Sequence, residues 1–214
     1  MTPRVPVAVF ASGGGTNLQA LLDHEMVSNA YRIALVLSNR ADAGALDRAR
    51  AAGRDAVVGS SDGRSQQEDG AEMLHDLEKR GVQVIALAGY LKLIPPAVVS
   101  RFRRRILNIH PALLPAFGGK GMYGRRVHEA VLAKGVELTG ATVHYVAEEY
   151  DTGTIIAQGP VPILPGDDTD SVAARVLKVE HKLYPEVLDH ICRAVAGDRD
   201  PGPFAPVQAD SESV

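Results

Sequence analysis

The sequence predicts an α/β fold: a doubly wound, mostly parallel sheet with a C-terminal antiparallel extension and a long final helix. Three observations lead there. Short apolar runs alternate with helical patterns through the first half of the 214-residue chain, as repeated βαβ units with right-handed crossovers require. Beyond about Pro115 that alternation gives way to two β-branched stretches at 142–145 and 154–158, read as strands of a hairpin-like extension. Residues 169–196 then carry one long helical pattern.

Taken in order, 5–11 reads as a buried strand and 17–24 as the helix after a glycine-rich turn. A second strand covers 33–37. The following helix runs through Leu46, Ala49 and Ala52 and stops at Gly53. Residues 56–58 form a short third strand. The polar stretch 60–70 is a loop or a late helix start, after which Met73, Leu74 and Leu77 form the apolar stripe of a helix ending at Gly81. Strands at 84–88 and 106–108 flank a helix at 95–102 with prolines in its first turn. In the second half, 117–121 is a flexible loop and 126–134 a helix closed by Gly135. Residues 161–164 continue or follow the last strand, and Asp170 sits in the first turn of the final helix, where the dipole favours it. The expected organisation is one domain over 1–196, with a nucleotide-binding-like βαβ half (1–115) and an active-site half (116–196). The Pro-, Asp- and Ser-rich tail 197–214 has little to bury and is expected to be disordered.

Composition narrows the function classes. A net charge of −3 leaves no footprint for nucleic acid, and the run Arg101, Arg103, Arg104, Arg105 is local. No apolar run reaches membrane-spanning length, and Val5 already begins a strand with no signal-peptide core before it. The single cysteine, Cys192, rules out an internal disulfide and fits a reducing cytoplasm; its helical setting suggests a buried structural thiol.

Asn108-Ile109-His110-Pro111 ends an apolar run where a parallel strand would reach the carboxyl edge of the sheet, the edge at which open α/β sheets bind ligands. Asn108 and His110, two residues apart, share one face of that strand. Asp151, in the turn-prone Tyr150-Asp151-Thr152-Gly153, supplies a carboxylate. An amide, an imidazole and a carboxylate suffice for acyl-group transfer: the first two hydrogen-bond an oxyanion, and the third holds the imidazole and relays a proton. Asp151 equally fits a simple turn initiator.

Ser12-Gly13-Gly14-Gly15-Thr16-Asn17 follows the first strand and opens the first helix. Such a loop either cradles a phosphate with its backbone N–H groups or is a tight turn capped by Asn17. The dinucleotide version fits poorly, because Leu18 occupies the third glycine position and Ser38-Asn39-Arg40 lacks the ribose-binding acid. His128 and His144 have no ligand-spaced partners and read as structural, and no zinc set can be assembled with one cysteine. Glu180-His181 reads as a solvated helix face, as do Glu148 and Glu149.

Together these residues resemble the phosphoribosylglycinamide formyltransferases, folate-dependent enzymes of purine synthesis within the formyltransferase superfamily, over nearly all of 5–190. The resemblance rests on the 12–19 glycine segment, Leu87-Ala88-Gly89-Tyr90-Leu91-Lys92, Leu107-Asn108-Ile109-His110-Pro111-Ala112-Leu113-Leu114-Pro115, Asp151-Thr152-Gly153 and Glu180-His181-Lys182-Leu183-Tyr184-Pro185. It implies a Rossmann-like formyltransferase fold, formyl transfer from 10-formyltetrahydrofolate to the amine of glycinamide ribonucleotide, no metal, and a homodimer. It also implies roles: Asn108, His110 and Asp151 catalytic, with Asp151 raising the His110 pKa; Gly15, Thr16 and Asn17 on the substrate phosphate; Glu180 on the ribose. Leu91, Lys92, Leu93 and Ile94, with Ala147, Glu148, Glu149, Tyr150, Asp151 and Asn108, would form the folate pocket, and Arg64 aligns with a folate-contacting arginine. Lys92 stands where the family often has arginine, and the long loop Gly118-Gly119-Lys120-Gly121-Met122-Tyr123-Gly124 reads as a lid. By the same analogy Leu114-Pro115 is a cis peptide. Rivals are a formylfolate hydrolase, a methionyl-tRNA or sugar-nucleotide formyltransferase, and a non-catalytic nucleotide-binding module. An RNA-binding C-terminal domain is not expected from 197–214, nor an N-terminal regulatory domain before Val5.

Overall fold

The computed structural model describes residues 4–59 and 65–205. Among these, the strands are β1 (Val5–Phe10), β2 (Tyr31–Ser38), β3 (Asp55–Val58), β4 (Val84–Leu87), β5 (Ile106–His110), β6 (Leu138–Tyr145) and β7 (Ile155–Pro162). The helices are α1 (Thr16–Glu25), α2 (Gly44–Ala51), α3 (Gln66–Lys79), α4 (Pro96–Arg101), α5 (Arg125–Lys134) and α6 (Thr169–Ala196). One sheet runs in the order β3-β2-β1-β4-β5-β6-β7. The first five strands are parallel; β6 and β7 are antiparallel.

The apolar runs are nearly continuous because helices cover both faces of the parallel strands. Val7, Val9 and Ile33 face a core shared with Leu18, Leu21, Tyr184 and Leu188 of α1 and α6. Ala8, Phe10, Leu35 and Leu37 face a second core with Met73, Leu77, Val98 and Phe102 of α3, α4 and its end. Cys192 is fully buried in the first core, as expected of a structural thiol.

The chain leaves β1 toward β2 and β3 on one side and later fills β4 and β5 on the other, so β1 and β4 flank the point where the winding reverses. The carboxyl ends of strands splay there and leave a crevice. Beside β5, the antiparallel register pairs Asn108 with His144 and His110 with Thr142, and directly opposed residues share a face. Thr142 Oγ1 donates to Ala112 O (2.6 Å) and accepts from Leu114 N (3.0 Å), fixing the turn after His110. The Leu114-Pro115 bond is cis.

One helix start differs from expectation and two others gain caps that local pattern did not show. α1 begins after left-handed Gly15 with no side-chain cap, so Asn17 is not its cap. α3 starts at Gln66 behind Ser65, whose side chain makes a reciprocal capping box with Glu68, so the late helix start, one of the two readings of 60–70, holds from 66 onward. α6 is capped by Asp168 through a reciprocal pair with Ser171, and Asp170 lies in its first turn as expected. The stretch 197–205 has more to bury than its composition suggests. Phe204 packs on the first core and edge-on to His190, with ring centroids 5.6 Å apart, and Asp200 lies 3.5 Å from Arg104.

Candidate active site

The three side chains singled out at the sheet edge meet in space. Asn108 Nδ2 lies 3.4 Å from Asp151 Oδ1, and His110 Nδ1 lies 3.6 Å from Asp151 Oδ2. Asp151 sits in a turn at φ 57°, a left-handed conformation that aspartate tolerates better than most residues. Its Oδ2 also accepts the backbone N–H of Gly119 at 2.9 Å. The segment read as a flexible loop is therefore tied to the carboxylate at its start.

His144, read from sequence as structural, belongs to the same cluster. Its Nε2 is 3.0 Å from Asn108 Nδ2 and 3.5 Å from Asp151 Oδ1, and its Nδ1 is 2.9 Å from Tyr145 O. A carbonyl can only accept, so Nδ1 carries the proton and Nε2 accepts from the Asn108 amide. By the same reasoning His110 Nε2 donates to Phe117 O at 2.9 Å. His128 on α5 is also buried and lines the cleft rather than only the core.

Burial dominates the electrostatics. It pushes the His110 pKa down, against the raising influence of Asp151 and of the Phe117 carbonyl, so the net shift is downward. The Asp151 charge acts in the expected direction on His110 but does not win. For Asp151 itself burial is the largest single influence and raises the pKa. The neighbouring His144 and His110 rings and the Gly119 N–H together outweigh it, and the carboxyl stays below its ordinary value. The free site therefore holds an ionised aspartate beside a neutral imidazole.

These groups open into a cleft of about 880 Å³ that reaches back to the glycine-rich loop. Gly15, Thr16, Asn17 and Glu180 line it, as do Leu91, Lys92, Leu93, Ile94, Ala147, Glu149 and Tyr150. Glu148 does not line it, and Arg64 lies outside the described residues. Glu148 and Glu149 are exposed, as read. Ser12 Oγ joins the two walls, accepting from Leu91 N at 2.9 Å and donating to Asn39 Oδ1.

Glu180 is not on a solvated face. It is 6% exposed and accepts from Asn17 Nδ2 at 2.6 Å. Burial pushes its carboxyl up to about 7, only partly offset by the Asn17 bond. Sequence reasoning gave no site role to Arg125, Arg126 and Asp170, which also line the cleft; they lie at the starts of two separate helices that only the fold brings to one wall. Among the described residues no group of three His, Cys, Asp or Glu side chains could hold a metal ion, and no helix is long and apolar enough to cross a membrane.

The formyl transferase family model matches residues 5–188. The chain is 47% identical over 195 residues to the chloroplastic phosphoribosylglycinamide formyltransferase of Arabidopsis thaliana, covering 88% of this chain and 66% of that protein. It is 37% identical to the phosphoribosylglycinamide formyltransferase of Escherichia coli, covering 85% and 84%. The crystal structure of glycinamide ribonucleotide transformylase 1 from Symbiobacterium toebii superposes with a TM-score of 0.82 at 39% identity, covering 90% of each chain. The chain thus spans just under two thirds of the plant relative's length.

Proposed function

The chain belongs to the formyl transferase family, and from that premise we propose that it transfers the formyl group of 10-formyltetrahydrofolate to the amine of glycinamide ribonucleotide. The products are formylglycinamide ribonucleotide and tetrahydrofolate. The observation that carries this reading is the meeting of Asn108, His110 and Asp151 in a cleft whose other wall is the Ser12–Asn17 glycine loop with Glu180. A cleft of about 880 Å³ lies within the range that holds small molecules.

In this reading the neutral amine attacks the formyl carbon, and the carbonyl electrons move to oxygen. Asn108 keeps one amide proton on His144 Nε2, which fixes the amide plane. Its other proton makes only the long 3.4 Å contact to Asp151 and is available to the oxyanion. His110, neutral at the outset, is suited to take up the proton that the attacking nitrogen sheds, aided by Asp151 and by the negative charge building on oxygen. The C–N bond to the folate then breaks, and its nitrogen leaves with that proton. No metal and no covalent nucleophile is required. Gly15, Thr16 and Asn17 would hold the substrate phosphate and Glu180 the ribose hydroxyls. Leu91, Lys92, Leu93 and Ile94, with Ala147, Glu149 and Tyr150, would hold the pterin, and Arg64 remains a candidate folate contact. The same reading expects a homodimer in the cytoplasm that binds neither nucleic acid nor membrane.

The test is a spectrophotometric assay with purified protein, a 10-formylfolate and glycinamide ribonucleotide, following the deformylated folate. Ribonucleotide-dependent turnover is expected. His110→Ala should lower kcat by roughly 10²–10⁴-fold with ribonucleotide affinity retained. Release without acceptor would replace the transferase by a hydrolase, and ribonucleotide binding without release would leave a nucleotide-binding module.

A further inference from the structure

At Gly13 and Gly14 the glycine loop has no steric device to orient its peptides. A Cβ added at Gly13 or Gly14 would meet nothing within 4 Å, and glycine backbones are the freest of all. Their orientation is set from outside by α2. Gly13 O accepts the backbone N–H of Ala45 at 3.1 Å, and Gly14 O accepts Nε–H of Arg48 at 2.8 Å. In a trans peptide the N–H points opposite to its C=O. With both carbonyls turned to α2, the N–H groups of Gly14 and Gly15 are turned away from it, on the side where the loop lines the cleft.

Arg48 does not line the cleft. Its guanidinium is fixed at a second point, Nη1 donating to Gln19 Oε1 of α1 at 3.1 Å, and Gln19 Nε2 in turn donates to Asp23 Oδ1 at 2.8 Å. The cation thus bridges the loop and the helix that the loop opens. A charged donor on Gly14 O also polarises that peptide, which makes the N–H on its other side a stronger donor.

We propose that Arg48 is a positioning residue for phosphate recognition: from behind the loop it locks the Gly14–Gly15 peptide with its N–H toward the anion and adds a positive charge in the layer beneath. This rests on the reading of the loop as the ribonucleotide phosphate site. Neither end of the catalytic cluster touches Arg48, so its removal should act on one substrate and not on chemistry.

Arg48→Met and Arg48→Lys should be compared with the unaltered protein in steady-state kinetics, with ribose 5-phosphate binding measured by calorimetry. Arg48→Met should raise the KM for the ribonucleotide and the Kd for ribose 5-phosphate about tenfold, equivalent to about 1.4 kcal/mol. The kcat should stay within about twofold, and the KM for the formyl donor and the Tm should not change. Arg48→Lys, which keeps the charge and one donor, should recover most of the loss. An unchanged ribose 5-phosphate affinity in Arg48→Met, or a parallel rise in both KM values, would overturn the proposal. An unaltered protein that neither turns over nor binds ribose 5-phosphate would instead remove the phosphate site, and the proposal with it.

Discussion

Gly119 donates its backbone N–H to Asp151 Oδ2 at 2.9 Å, the same oxygen that stands 3.6 Å from His110 Nδ1. Two residues earlier the same loop takes the Nε2 proton of His110 on the Phe117 carbonyl. The loop therefore grips both members of the imidazole–carboxylate pair. Phe117 does this at φ 57°, and a Cβ at Gly118 would come 3.2 Å from Asp151 Cβ.

Replacing Asp151 by Asn should move His110 further from protonation. Burial already holds its pKa below the ordinary value, and the Asp151 charge is the main influence opposing that. The imidazole titration followed by NMR, and the His-dependent limb of the pH–rate profile, should both shift to lower pH. A loss in kcat of roughly 10²-fold or more is expected. An unshifted titration would sever the pair.

Asn108→Ala removes the amide whose second proton is assigned to the oxyanion. The kcat should fall by roughly 10²–10³-fold, the usual cost of one such donor. The ribonucleotide KM should change little, because the phosphate loop is untouched. A loss confined to KM, read in steady-state kinetics, would contradict the role.

Glu180 makes stability depend on pH. Its carboxyl is raised from the ordinary 4.5 to about 7, so the fold favours the protonated form. The stability this contributes is full below about pH 4.5 and is lost as pH rises through about 7, a change of about 3 kcal/mol. Glu180→Gln keeps an acceptor for Asn17 and does not ionise. In urea denaturation it should match the unaltered protein near pH 4 and exceed it by up to about 3 kcal/mol at pH 8. Parallel pH curves for the two proteins would refute the shift.

Gly15 and Gly13 should respond unequally to alanine. Gly15 has φ 75°, and a Cβ there would lie 2.7 Å from Ala45 Cα, a backbone atom that cannot swing away. Gly15→Ala should lose about 2 kcal/mol or more from the left-handed strain alone plus the displaced contact. Gly13→Ala, with open space around its Cβ, should stay within about 0.5 kcal/mol. Thermal unfolding of the two variants checks the contrast.

Much of the frame could be read from local pattern. The apolar runs marked the strands, and their alternation with helical stripes marked parallel winding, because crossover helices are what covers such strands. The two-residue period put Asn108 and His110 on one face before any neighbour was known. The resemblance then assigned roles that spacing alone left open.

The electrostatics were less accessible. Asp151 was expected to raise the His110 pKa, and it pushes that way, but the sign of the net shift follows from how deeply the ring is buried. Glu180 looked like a surface residue beside His181. Consecutive helix positions point about 100° apart, so one can be buried against Asn17 while its neighbour is not.

The sequence by itself determined the fold class, the strand ends at which chemistry is possible and the residue types available there, because these follow from periodicity and composition over a few consecutive residues. Tertiary structure alone decided that His144 joins Asn108. That contact exists because β6 lies antiparallel beside β5 in a register that pairs the two positions. Strand order and register depend on packing across the whole sheet, and no local run of residues carries them.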